Sequence, residues 1–239
     1  MTTNQMMSDG LPALVSYRIA HPVLSSPGVV HSEPDRTNPL PPITAALYEY
    51  VMAGNGIFIR GARREFQAQF CIQPCAMRGL VELGPSLELN TPRVPREMIF
   101  EMLRRARAAR DQQGRPCEIV FHLEFIESGV WQCHVPEQDQ SPMRAKPSDD
   151  SPASSCARAC IELHSHVDMH ASFSSLDDQD EQGFRIYAVL GCISTRPVMR
   201  VRVGLYGYRH DIPAKWIFDL PPGIGDAVTG EGTCLGPTP

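Results

Sequence analysis

Two histidines and one aspartate stand at a spacing that can hold a catalytic metal ion. His164 and His166 are two residues apart on a predicted strand, and Asp177 follows at the start of a predicted helix. Side chains at i and i+2 of a strand point to the same face, so both imidazoles can bind one ion. Two imidazoles and a carboxylate form a three-ligand zinc set that leaves one coordination position open for water. The pattern therefore predicts a hydrolytic zinc site, since a structural zinc ion has four protein ligands.

The same residues also have simpler interpretations. A pair of histidines on a half-exposed strand is often a surface pair without a ligand. Ser174 and Asp177 spell the helix-start pattern S-x-x-[DE], a capping box, and this role is compatible with metal binding by Asp177. Asp178 and Glu181 continue an acidic stretch that the helix dipole favours, so only Asp177 is assigned to the metal.

Hydrophobic periodicity predicts the elements that position these residues. Apolar residues recur at helical spacing over residues 95–112, which predicts the most regular helix of the chain. Apolar and polar residues alternate over 118–125 and predict a strand whose polar face, which begins with Glu118, can carry chemistry. A helix start is predicted at 174–181, and further strands are predicted at 129–135, 160–166, 184–193 and 198–206.

The remaining segments are predicted to be accessory. Residues 1–90 are interpreted as a small N-terminal α+β region, with a strand near 14–19, a helix at 45–52 and a hairpin of 56–59 and 65–72 that turns near Gly61. The proline-rich stretch 21–43 predicts an extended connection. Residues 136–155, rich in Pro, Ser and Asp, predict either a mobile loop close to the site or a linker. Residues 221–239 predict a flexible tail.

Composition and charge exclude several classes of protein. The chain has 239 residues, of which 42% are hydrophobic, as in an ordinary globular protein. The net charge of −5 lacks the excess of Lys and Arg that a nucleic-acid-binding surface requires. The N-terminus does not resemble a signal peptide, and no apolar run is long enough to span a bilayer. We therefore expect a cytoplasmic protein with neither membrane nor nucleic acid as its partner.

The eight cysteines stand at irregular positions and are predicted to be reduced thiols. Two pairs have a three-residue gap that could chelate zinc: Cys71 with Cys75, and Cys156 with Cys160. Neither pair has the CxxC partner knuckle of a zinc finger. Buried or incidental cysteines are therefore the preferred interpretation.

The complete spacing H-x-H-x7-S-x2-D resembles the JAMM motif of the JAB/MPN metalloprotease family, and its positions are occupied by His164, His166, Ser174 and Asp177. For this composition, a chance match is on the order of one in a thousand. The resemblance implies a JAB/MPN domain over residues 91–220. Its fold class would be α+β, with a cytidine-deaminase-like mixed sheet flanked by helices.

The resemblance also implies two catalytic residues. The family places a glutamate at the start of the strand after the first long helix, where it takes a proton from the zinc-bound water, and Glu118 fits that place. Glu124 and Glu162 lie on faces of the same kind and remain alternatives. Ser174 is implied to donate a hydrogen bond to the oxyanion that forms when water attacks the scissile carbonyl. One departure is Val167, because many family members have Pro after the second histidine.

Three longer segments resemble the A-protein family of bacterial PRTRC systems: LYEYVMAGNGIFIRGAR, RVPREMIFEMLRRAR and FSSLDDQDEQGFRIYAVLG. That resemblance implies a protein encoded beside a ThiF-like activating enzyme, a conjugating-enzyme-like protein and a ubiquitin-like protein. We therefore expect a Zn²⁺-dependent metallopeptidase or isopeptidase that cuts amide bonds at the tail of the ubiquitin-like protein or in its conjugates.

Other activities have less support in the sequence. A non-catalytic MPN scaffold that binds partners of a ubiquitin-like pathway is the alternative, although such modules usually carry a damaged motif. The H-x-E and P-C-x-x-C signature of zinc deaminases is absent, as is the H-E-x-x-H motif of other metalloproteases.

Overall fold

The computed structural model describes residues 12–20, 40–149 and 151–230. The chain forms two compact units, Met1–Glu88 and Leu89–Pro239. Strands outnumber helices in the described residues, so the predicted α+β class is confirmed in its general form. Within these ranges, no helix is both long enough and apolar enough to cross a membrane.

The first unit contains one five-stranded sheet. Its strands are β1 (Val15–Ile19), β2 (Tyr48–Ala53), β3 (Gly56–Ala62), β4 (Phe66–Pro74) and β5 (Ser86–Leu89), in the spatial order β1-β2-β3-β4-β5. Strand β1 is parallel to β2, and the β2–β3 and β3–β4 pairs are antiparallel. The predicted hairpin of 56–59 and 65–72 is confirmed, but Gly61 lies within β3, so the turn comes later than predicted.

The predicted helix at 45–52 is wrong, because these residues lead into strand β2. Exposure alternates along β2, with Glu49, Val51 and Ala53 buried, which is the period of a strand. Gly54 and Asn55 then form the two-residue turn of the β2–β3 hairpin, since Ala53 pairs with Gly56. The described part of this region therefore contains strands and no helix, unlike the predicted α+β accessory region. Most of the predicted connection 21–43 lies outside the described residues.

The second unit contains the candidate site. In chain order its elements are α1 (Arg96–Ala108), β6 (Val120–Phe125), β7 (Trp131–His134), β8 (Gln138–Ser141), β9 (Arg144–Pro147), α2 (Ser155–Arg158), β10 (Ile161–His166), α3 (Ser175–Asp180), β11 (Phe184–Gly191), β12 (Val198–Leu205), β13 (Tyr208–Ile212) and β14 (Gly225–Asp226). The main sheet has the order β13-β12-β11-β10-β6-β7. It is a mixed sheet, since β10 is parallel to β11 and antiparallel to β6.

Helix α1 follows the predicted apolar spacing but is shorter than predicted. Its buried residues are Ile99, Met102, Leu103 and Ala106, which lie on one side of a helix. The helix ends at Ala108, because Ala109 adopts an extended conformation. Arg107, in the last turn, donates a hydrogen bond of 2.7 Å to the carbonyl of Ile193, which ties the helix end to the segment after β11.

The predicted mobile loop at 136–155 is largely ordered in the structure. It contains the hairpin β8–β9 and the start of α2. Glutamine side chains connect the hairpin to the residues before and within β6: Gln138 Oε1 accepts from Val120 N at 2.7 Å, and Gln140 Nε2 donates to Glu118 O at 2.7 Å. Polar composition predicts a solvated loop, but here the polar groups form hydrogen bonds with a neighbouring strand.

The predicted tail at 221–239 also differs from the structure. Strand β14 pairs in parallel with β12, and Asp226 is buried. Asp226 Oδ1 accepts a hydrogen bond from Val228 N, which satisfies part of this buried carboxylate. Residues 231–239 lie outside the described residues.

Most of the described cysteines are reduced thiols, as the sequence predicts. These are Cys71, Cys75, Cys117, Cys133, Cys156 and Cys160. Cys192 differs from the prediction because it is disulfide-bonded.

Candidate metal centre

The two histidines of the motif lie side by side on strand β10. His164 Nε2 and His166 Nε2 are 3.1 Å apart. Their strand lies between β6 and β11: both histidines pair with β11, and His164 also pairs with β6. The alternation predicted from the sequence therefore brings the two imidazoles together on one face.

Asp177 reaches the histidines from the first turn of α3. Its Oδ1 atom lies 3.4 Å from His164 Nε2. Its Oδ2 atom accepts a hydrogen bond of 2.5 Å from Ser174 N, and Ser174 Oγ accepts one of 3.3 Å from Asp177 N. This capping box uses one carboxylate oxygen and leaves the other directed at the histidines. The helix start and the metal-ligand geometry are therefore compatible, as the sequence predicts.

The distances between these donor atoms match those around a zinc ion. Ligand atoms bonded at about 2.0–2.1 Å to a tetrahedral ion lie about 3.3 Å from one another. The two distances given above, 3.1 Å and 3.4 Å, bracket that value. One donor atom from each of His164, His166 and Asp177 lies within 4.8 Å of the others. The residues present thus fit a zinc ion.

A backbone carbonyl sets the orientation and tautomer of His166. The Nδ1 atom of His166 lies 3.0 Å from the carbonyl oxygen of His170. A carbonyl can only accept, so Nδ1 carries the proton and Nε2 keeps its lone pair for a metal. His170 is not one of the positions of the H-x-H-x7-S-x2-D pattern. Its contribution comes from the main chain, which side-chain patterns do not reveal.

Gly191, at the end of β11, allows the loop that carries the His170 carbonyl to approach the sheet closely. A Cβ atom at this position would lie 2.3 Å from Ala171 N and 2.7 Å from Met169 O. The loop is also bonded to the next residue, because Cys192 N donates to Met169 O at 2.8 Å. The absence of a side chain at Gly191 thus allows the loop after β10 to pack against the sheet.

The environment favours the protonation states that metal ligands need. Burial lowers the pKa of His164 to about 4, with His166 adding to the decrease and Asp177 opposing it. Burial raises the pKa of Asp177, but His164 and the hydrogen bonds from Ser174 outweigh it and lower the pKa overall. At neutral pH the site therefore contains a neutral imidazole at His164 and an ionised carboxylate at Asp177.

Glu118 lies beside the histidines without being one of the three converging ligands. Its Oε1 atom is 4.0 Å from His166 Nε2, is buried, and makes no hydrogen bond to the described residues. Burial and, after it, the charge of Asp177 raise the pKa of Glu118 to about 8. Its backbone is fixed by the hairpin, since Glu118 N donates to Ser141 O at 3.0 Å. A buried carboxyl group with an unsatisfied oxygen is well suited to exchange a proton.

The two alternative glutamates form ion pairs with arginines. Glu124 Oε2 lies 3.0 Å from Arg158 Nε, and Glu162 Oε2 lies 3.2 Å from Arg185 Nη1. The geometry therefore favours Glu118 over both as the carboxylate beside His166.

Sequence reasoning missed one group that holds α3 in place. The Arg202 guanidinium, from β12, lies 3.7 Å from the centre of the Phe173 ring. Arg202 Nε also donates to Glu181 Oε2 at 2.6 Å, and its Nη1 lies 2.8 Å from Asp178 Oδ1. The ring of Phe173 is 6.4 Å from that of His164. The sequence feature that could have identified Arg202 is the alternation of arginine and valine along β12, which indicates that one face of the strand is polar.

Comparison with models of known protein families gives no match, and comparison with curated proteins gives no significant match. Function is therefore inferred from the motif and from the geometry of the site.

Proposed function

We propose that the second unit is a zinc-dependent metallopeptidase or isopeptidase with the JAB/MPN architecture. The observation that carries this proposal is the convergence of His164, His166 and Asp177 at zinc-ligand spacing, with Glu118 beside them. His164, His166 and Asp177 occupy positions of the JAMM motif, and Glu118 occupies the place that the family gives to its glutamate. Three protein ligands leave a coordination position for water, which is typical of hydrolytic zinc sites.

The residues of the chain have distinct tasks in the proposed hydrolysis. When bound, a zinc ion would lower the pKa of its water ligand and polarise the scissile carbonyl. Glu118 accepts a proton from the attacking water at its carboxylate and passes it to the leaving nitrogen. Burial makes this carboxylate a stronger base than an exposed glutamate, because its pKa is raised to about 8.

Ser174 is proposed to stabilise the oxyanion. Its Oγ atom accepts from Asp177 N, and a hydroxyl group keeps its own hydrogen for donation. Ser174 is exposed, so the hydrogen is available to a substrate. One such donor contributes about 3 kcal/mol to transition-state stabilisation in hydrolases.

The proposed substrate is the tail of a ubiquitin-like protein, free or in conjugates, within a PRTRC-type system. The support is the sequence resemblance, together with the hairpin β8–β9 that lies against Glu118. An extended peptide tail is the kind of ligand that pairs with an exposed strand edge. ThiF-like and conjugating-enzyme-like proteins would be further partners.

The test combines zinc analysis with cleavage of a ubiquitin-like protein fused to a reporter. We expect His166→Ala to lose about one zinc ion per chain relative to the wild type. Glu118→Gln should keep zinc while cleavage falls about 100- to 10,000-fold. Glu124→Gln is the matched control, since Glu124 pairs with Arg158, and it should cleave normally. A wild-type protein that binds no zinc and is inert would instead favour the non-catalytic scaffold.

A further inference from the structure

A second group of potential ligands lies on the same strand as the histidines. Glu162 of β10 is the direct cross-strand partner of His122 on β6, and α2 brings Cys156 close to both. One ligand atom from each of these three residues lies within 4.8 Å of the others. Imidazole, thiolate and carboxylate together form a donor set suited to zinc.

His122 is oriented as a metal ligand would be. Its side chain is fully buried, and its Nδ1 atom lies 2.8 Å from Ser155 Oγ. When Nδ1 donates to that hydroxyl, Nε2 presents a lone pair. Nε2 lies 3.5 Å from Glu162 Oε2 and has no hydrogen-bond partner among the described residues. A cation between His122 Nε2 and Glu162 Oε2 would bind this lone pair and the carboxylate together.

Arg185 balances part of the charge of this cluster. Its Nη1 atom lies 3.2 Å from Glu162 Oε2 and 3.5 Å from Cys156 Sγ. The contacts of Arg185 nevertheless leave His122 Nε2 without a hydrogen-bond partner in the part of the chain that the structure describes.

We propose that His122, Cys156 and Glu162 form a second site for a zinc-type divalent cation. Binding replaces the thiol proton of Cys156, which is released to solvent as the sulfur–metal bond forms. Glu162 and His164 are two residues apart, which is about 6.6 Å along a strand. Ions that share a reaction are only about 3.5–4 Å apart, so the two ions do not act as a pair. The second ion would link α2 to the sheet, with three protein ligands and one further coordination position.

This site differs from the chelate that cysteine spacing suggests. Cys156 and Cys160 are separated by three residues, but the Sγ atom of Cys160 points to the carbonyl of Leu123 at 3.5 Å. Cys156 instead faces a histidine and a glutamate from two neighbouring strands. The second site is also independent of the proposed peptidase activity.

Cobalt(II) loading of the full-length, metal-free protein tests the proposal. The first site offers only nitrogen and oxygen ligands, so a sulfur-to-cobalt charge-transfer band reports on the second. We expect about two cobalt ions per chain in the wild type, with that band present. His166→Ala should lose about one ion and keep the band. Cys156→Ser should lose about one ion and the band, while Cys133→Ser, a control in the same unit, should keep both.

Two results would overturn the second site while leaving the first intact. One is a wild-type protein that binds cobalt without a sulfur band. The other is a band that persists in Cys156→Ser, which would assign it to a different cysteine. Because the band is first sought in the wild type, the result does not depend on the folding of any variant, and circular dichroism verifies the folding of Cys156→Ser.

Discussion

The carboxyl group of Glu118 should make the metal-free protein sensitive to pH. Burial, and then the charge of Asp177, raise its pKa to about 8. A carboxyl group with a raised pKa binds its proton more tightly in the folded than in the unfolded chain, so its contribution to stability is greatest at low pH. We expect the free energy of unfolding to fall as the pH rises from about 5 to about 8. Denaturation of chelator-treated wild type and Glu118→Gln measures the difference.

The comparison with Glu118→Gln isolates this group from another in the same pH range. Burial also raises the pKa of Glu181 to about 8, although Arg202 opposes the increase. Glu181 titrates in both proteins, so its effect largely cancels in their difference. If the free energy of unfolding changed with pH equally in the two proteins, the buried environment assigned to Glu118 would be wrong.

Ser174 should affect turnover more than zinc binding. Ser174→Ala removes both the proposed oxyanion donor and the helix-capping acceptor, whereas Ser174→Thr keeps a hydroxyl group for both. We expect kcat to fall about 100- to 1000-fold in the alanine variant, with substantial recovery in the threonine variant. Steady-state cleavage and zinc content are the measurements. Equal turnover in wild type and Ser174→Ala would remove Ser174 from the mechanism.

Among the elements of the second unit, helix α3 depends on Arg202 for its position. Arg202 binds Glu181 and Asp178 of this segment, which also contains Asp177. Loss of a group that orients metal ligands typically lowers metal affinity about 10- to 100-fold. We therefore expect Arg202→Met to bind zinc about 10- to 100-fold more weakly in a chelator competition assay. Arg202→Lys should recover part of the zinc affinity.

Arg200 provides a matched control on the same strand. It forms an exposed ion pair with Asp211, at 2.5 Å between Nη2 and Oδ2, and such pairs contribute little to stability. Arg200→Met should therefore bind zinc like the wild type. If Arg202→Met and Arg200→Met bound zinc equally well, α3 would not depend on Arg202.

The loop after β10 should be sensitive to any side chain at Gly191. In Gly191→Ala, the new Cβ would meet backbone atoms of Ala171 and Met169, which cannot move aside like a flexible side chain. We expect a loss of about 1–3 kcal/mol in unfolding free energy, together with weaker zinc binding through His166. Gly183→Ala is the control, because its nearest neighbour, Arg185 Nε, would be 3.4 Å from the added atom. A stable Gly191→Ala variant with normal zinc affinity would contradict the packing described for this loop.

For the whole molecule, the division into two units leads to a direct prediction. All five candidate site residues lie in Leu89–Pro239, the second compact unit. Expressed alone, residues 89–239 should unfold cooperatively and bind as much zinc per chain as the full protein. Calorimetry and metal analysis of both chains provide the measurement. Loss of zinc from the separate unit would mean that residues 1–88 are needed for the site.

The sequence by itself determined the features that depend on short-range periodicity. A two-residue spacing on a strand places His164 and His166 on one face, and a helix start places Asp177 at its first turn. Helix α1 likewise follows from its apolar spacing. Local patterns fail where the spacing of apolar residues is compatible with both a helix and a strand. In β2, a segment interpreted as a helix pairs as a strand.

Only the tertiary structure decided which other groups meet at these positions. It placed Glu118 beside His166, whereas Glu124 and Glu162 form ion pairs with arginines. It also ordered the polar hairpin β8–β9 and brought Cys156 to His122. These contacts join residues that are far apart in the chain, and hydrogen bonding and close packing select them only once the sheet has formed. Local sequence patterns carry no record of such partners.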